Sequence, residues 1–119
     1  MERIQFIEHK GKQILHLDFA RAMPDEVVKS SKAAMVVIAK QPAKSLRTLT
    51  DVTEMKFDTA ATQILKDLAK HNAPYVVAGA VVGITGLKQI IYNAVIKFSG
   101  RNLVVFDTPD QAKEWLITQ

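Results

Sequence analysis

Pro74-Tyr-Val-Val-Ala-Gly-Ala-Val-Val82, Gly83-Ile-Thr-Gly86, Leu87 to Phe98, Ser99-Gly100 and Asn102-Leu-Val-Val-Phe-Asp107 are successive pieces of the stretch that decides the fold. The first is an apolar, β-branched run with the length of a buried strand. The glycine pair Gly83 and Gly86 breaks it. Leu87, Ile90, Ile91, Ala94, Val95 and Phe98 then recur at helical spacing and predict one inward-facing stripe. Ser99-Gly100 stops that helix, and the last piece is a second buried strand. Strand, helix and parallel strand make a βαβ unit with a right-handed crossover. Val76, Val81, Val104 and Phe106 are its expected core residues.

Upstream, Arg3 to His9 and Gln13 to Phe19 both alternate, and Lys10-Gly11-Lys12 lies between them. Two alternating runs across a short glycine loop predict an antiparallel hairpin. Pro24-Asp-Glu opens a helix with acids in its first turn, where the macrodipole favours them. Val27, Ser31, Ala34, Met35 and Ile38 mark its buried face, and Pro42 ends it. Ser45 to Val52 is a third strand. A second helix carries Phe57, Ala61, Ile64, Leu65 and Leu68 on one stripe, with Asp58 or Thr59 as its N-cap. Thr108-Pro-Asp-Gln111 has the form of a capping box and opens a last helix. Trp115 is expected to be largely buried there, beside Ala112 and Leu116. The order is ββαβαβαβα, an α/β fold with a single mixed β-sheet, and residues 1–119 are expected to form one domain.

The composition narrows the function classes. With 119 residues, the chain is long enough to bury roughly two-thirds of its unfolded surface. It has no cysteine, which excludes disulfides, thiolate metal ligands and thiol nucleophiles. The uncharged run Ala73 to Leu87 is too short to span a bilayer. The amino terminus lacks the basic and apolar regions of a signal peptide, so the expected compartment is the cytoplasm. A net charge of +4 would suit an acidic partner. Its lysines and arginines are scattered, however, with no interleaved aromatic platform, and this argues against a nucleic-acid partner.

This order and three stretches resemble the STAS superfamily, the sulphate-transporter and anti-sigma-factor-antagonist domains. The stretches are Thr50 to Ala61, the strand and turn from Ala78 to Gly86, and Val104 to Leu116 with its Ala112 and Trp115-Leu116. The nearest likeness is to a small single-domain bacterial branch similar to the sporulation anti-sigma-factor antagonist. In that family the second helix opens with an aspartate and a phosphorylated serine, and Asp58 and Thr59 match those positions. Here threonine replaces serine, and Ala60-Ala61 stand where glycine is usual. The resemblance implies a regulatory, protein-binding module with a phospho-switch at Thr59. Asp51, Thr53, Asp58, Thr59 and Thr62 would form its partner surface, and a homodimer is compatible with such a module. The same branch is grouped with CRAL-TRIO-like lipid-binding domains, which implies the alternative of a carrier or sensor for a lipid or small apolar ligand.

Each candidate residue also has a purely structural role open to it. Thr59 can be a helix cap. Gly83, Thr85 and Gly86 lie between a strand end and a helix start, where free amides bind anions, yet a tight turn needs the same glycines. The turn lacks the lysine of a phosphate-binding loop and the spacing of a dinucleotide fingerprint. His16 and Asp18 share a strand face. No serine sits in a nucleophile motif and no histidine pair has metal spacing, so the expectation is no catalytic residue, no metal and no cofactor.

Overall fold

In the computed structural model, which describes residues 2–119, nine elements follow the expected order. They are β1 (Ile4–His9), β2 (Lys12–Asp18), α1 (Pro24–Ala39), β3 (Leu46–Asp51), α2 (Thr59–Asn72), β4 (Val76–Val82), α3 (Lys88–Ser99), β5 (Leu103–Phe106) and α4 (Pro109–Leu116). The strands form one sheet in the order β1-β2-β3-β4-β5. β1 and β2 are antiparallel, and every later pair is parallel. Because His9 pairs with Lys12, the hairpin loop is Lys10-Gly11 alone. Both residues have positive φ, 49° and 83°, the signature of a type I′ turn whose twist matches the flanking strands.

Adding strands in chain order with right-handed crossovers puts every crossover helix on the same face. α1, α2 and α3 therefore share one side, over Leu15, Leu17, Val76 and Val81. α4 follows the last strand and covers the other side, over Ile14, Leu49, Ala78, Ala80 and Val82. Glu114 of α4 reaches the hairpin, 2.7 Å from Lys10 and in contact with His9. Lys10 and then His9 hold its carboxyl below the usual glutamate range.

Strand β4 changes phase within its own length. Leu46 and Arg47 of β3 pair with Val76 and Ala78, so Val77 is the extra residue of a bulge. Val76 faces the three helices, Val77 is exposed, and the alternation restarts at Ala78. Val76 and Val81 are thus buried in the same cluster despite odd spacing, as expected of both.

Other burial expectations are corrected by position in the sheet. Val104 and Phe106 are half-buried, because β5 is a four-residue edge strand. Trp115 is half-buried too, packed against Phe106 with ring centroids 5.5 Å apart. In α3, Ile91 and Val95 are buried, but Ile90 and the preceding Leu87 are 66% and 69% exposed. Phe98 is also exposed, its ring flanked by Lys66 and Lys70 amines at 5.8 and 5.2 Å. The physical reason is that α3 packs chiefly against α2 and only lightly on the sheet. An edge helix held in this way buries one narrow stripe, not the wide face its composition would allow.

Of the expected face of α1, Val27, Ser31, Ala34 and Ile38 are buried, whereas Met35 at its border is half-buried. The Ser31 hydroxyl has no partner among the described residues, although the residue is fully buried. Ser31→Ala should therefore raise stability by about 0.5–1.5 kcal/mol in urea melts, since it removes an unpaired buried polar atom and improves helix propensity. A loss of stability would show that the hydroxyl has a hydrogen-bonding role.

Candidate functional site

The β3–α2 connection and the opening of α2 carry the residues singled out for partner binding. Asp58 is the N-cap, with extended backbone and Oδ1 accepting from Ala61 N at 2.8 Å. Thr59 is the first helical residue. It is exposed, and its hydroxyl forms no hydrogen bond among the described residues. Thr62 donates its hydroxyl to Asp58 O at 2.9 Å. The alternative between the two caps is thereby decided for Asp58. The first turn of α2 has no acidic residue, so the positive end of its dipole is met only by the Asp58 cap.

The loop before this helix start is held at several points. Thr53 O accepts from Arg21 N at 2.8 Å, and Lys56 N donates to Ala22 O at 2.8 Å. Met55 is buried in the core beneath it. Gly83 has φ 95°, and a Cβ there would lie 2.5 Å from Thr53 N. The glycine thus allows the β4–α3 turn to lie directly against the β3–α2 loop.

Thr85 and Gly86 are exposed in that turn, with Gly86 at φ 56°. Lys88 N, Gln89 N and Ile90 N, however, already donate to Thr85 O, Gly86 O and Leu87 O, each at 3.1 Å. These bonds engage three amides in the first turn of α3, while the turn Gly83, Thr85 and Gly86 itself remains a proposed anion site.

The five partner candidates separate into two groups. Asp58, Thr59 and Thr62 stand together on α2. Asp51 and Thr53 lie at the carboxyl end of β3, where Asp51 Oδ1 accepts from Thr53 N at 2.9 Å. Asp51 pairs in register with Asp18, and their carboxylates and His16 offer ligand atoms all within 4.8 Å of one another. The sequence signals only that His16 and Asp18 share a face; Asp51 joins them through parallel strand pairing, which has no local signature. A divalent cation would accept this donor set. Asp18 Oδ1 also accepts from Ala20 N at 3.0 Å, so turn bonds explain one oxygen of each carboxylate without an ion.

A second feature lies beneath α3. Because that helix leans on α2, a cavity of about 80 Å³ remains between the two helices and the sheet. Leu65, Leu68, Val81, Ile91, Val95 and Leu103 supply apolar walls, with Thr48, Asn72, Lys88 and Arg101 as polar lining. Thr48 and Asn72 are almost fully buried. Asn72 Oδ1 lies 2.9 Å from His71 Nδ1, and His71 stacks on Tyr75. Tyr92 donates its hydroxyl to Leu103 O and ties α3 to β5. The sequence reading places Leu65, Leu68, Val81, Ile91 and Val95 in ordinary core and counts Lys88 and Arg101 among the scattered cations, since a void between correctly patterned elements leaves no mark on the pattern.

No family model and no curated protein matches the sequence. Among solved structures, the chain is similar to an uncharacterized protein from Shewanella loihica PV-4, of the DUF3478 family, with a SpoIIAA-like fold. The TM-score is 0.69 at 14% identity, over 95% of this chain and 91% of that one. The fold is therefore SpoIIAA-like, in agreement with the STAS resemblance. Among the described residues, no helix is long and apolar enough to cross a membrane.

Proposed function

We propose that this chain is a non-enzymatic regulatory module that binds a protein partner through the opening of α2 and the loop before it. The observation that carries the reading is Thr59: it is exposed, its hydroxyl is unengaged, and the neighbouring Asp58 performs the capping. A phosphate on Thr59 would bring roughly two negative charges to the positive end of α2 without removing a structural hydrogen bond. Exposed Lys56 lies just ahead in the chain to offset part of the repulsion from Asp58. The SpoIIAA-like fold supports an interaction role by analogy only.

Two measurements test this reading. Stability should separate capping from signalling: Asp58→Ala should cost about 1 kcal/mol, whereas Thr59→Val should cost under about 0.5 kcal/mol. Thr59→Asp should then leave the melt unchanged while altering partner binding by protein purified from its own host. Identical partner binding by wild type and Thr59→Asp, with no phosphate in the intact mass, would overturn the switch.

A second reading is favoured by the cavity beneath α3. A half-open, mainly apolar space with a few polar groups is a usual form of small-ligand site. A carrier or sensor of a small apolar molecule would use it, and α2 would link the pocket to the partner surface. Its test is whether any small apolar probe enters the cavity.

A further inference from the structure

Arg101, just ahead of β5, turns its guanidinium toward the sheet. Gly79 of β4 makes this arrangement feasible, since a Cβ there would lie 2.5 Å from Leu103 Cδ2, 3.0 Å from Arg101 Nη2 and 3.2 Å from Thr48 Oγ1. Among the described residues, no carboxylate forms an ion pair with this guanidinium and no acceptor takes a hydrogen bond from it. Burial lowers its pKa to about 10, with desolvation the sole cause, so it stays cationic at neutral pH. Arg101 is half-buried, so the cation is partly withdrawn from water with no counter-charge beside it among the described residues, and an anion seated there would offset that desolvation.

Among the described residues, Lys88 and Arg101 are the cavity's only charged lining groups, and both are cations. They flank α3 at its two ends, and the walls between them are mostly apolar. That pattern is complementary to a molecule with one anionic head and an apolar body. We propose that the cavity is a site for a short-chain monocarboxylate, with its carboxylate seated on Arg101 and its tail between α2 and α3. This rests on the small-ligand reading above and adds the ligand's chemistry. The planar fork of arginine matches two carboxylate oxygens, and the neighbouring Thr48 hydroxyl supplies a further donor. Size sets the chain length. A cavity of about 150 Å³ takes up benzene, so a volume of about 80 Å³ suits a tail of roughly three or four carbons.

Butyrate and its neutral isostere butyramide are the probes, titrated into the full chain and followed by amide NMR. Butyrate should shift the amides of Gly79, Ile91, Arg101 and Leu103 saturably, with a Kd at least about 10-fold below that of butyramide. Arg101→Met should abolish the preference by weakening butyrate alone. Its apo form should melt higher than wild type, because an unpaired charge has been removed. Equal binding of both probes to wild type would overturn the carboxylate assignment while leaving a small-ligand pocket. If neither probe reaches the cavity amides, both the assignment and the pocket reading fail. Unchanged butyrate binding in Arg101→Met would also overturn the role of Arg101. The wild-type comparison decides the matter even if that variant does not fold.

Discussion

Gly83→Ala should destabilise the protein by about 2–5 kcal/mol, whereas Gly86→Ala should cost only about 1–2 kcal/mol. Both glycines have positive φ, so the two variants share the cost of forcing an L-residue into that region. They differ in what the added methyl meets. At Gly86 nothing lies within 4 Å, whereas at Gly83 the backbone of Thr53 is 2.5–2.7 Å away. A backbone atom cannot rotate aside as a side-chain tip can, and Thr53 is itself fixed by Arg21 N and Asp51 Oδ1. Relief must come from displacing the β3–α2 loop, which also carries the start of α2. Urea melts of the two variants, side by side, isolate the clash from the shared backbone strain. Equal losses at the two positions would mean that the close approach has no energetic weight.

Leu116→Ala should cost about 2–5 kcal/mol and exceed Trp115→Ala, expected at about 1–3 kcal/mol. Residue size alone would rank them the other way. Leu116 is fully buried in the small cluster that seats α4 on Leu49, Ala78, Ala80 and Val82. The alanines opposite it are short, so a truncated side chain at this position leaves a void that they cannot fill. Trp115 stands at the border of the same cluster, half in solvent against Phe106 of the edge strand. Chemical denaturation of both variants checks the order. A larger loss for Trp115→Ala would show that α4 is held by its aromatic edge rather than by its aliphatic seat.

Sequence alone determined the elements and their order. Alternation, helical spacing and the glycine, proline and Asp-Thr punctuation are local properties, and every expected strand and helix is present. The parallel βαβ unit was legible because its two strands are apolar and its crossover helix is bounded on both sides. The likeness at Asp58 and Thr59 also located a helix start correctly. Only the tertiary structure decided the capping role, because both residues have suitable side-chain oxygens and the choice depends on backbone geometry. The bulge at Val77 was hidden, since an all-apolar run reads the same in either phase. The exposed side of α3 was hidden for a related reason: periodicity names an apolar stripe but not how much of it a neighbour covers. Asp51 beside Asp18 and His16, and Arg101 beside Gly79 and Thr48, join residues from distant parts of the chain. Such meetings arise from strand pairing and helix tilt, which are set by packing over the whole chain and leave no trace in any short stretch.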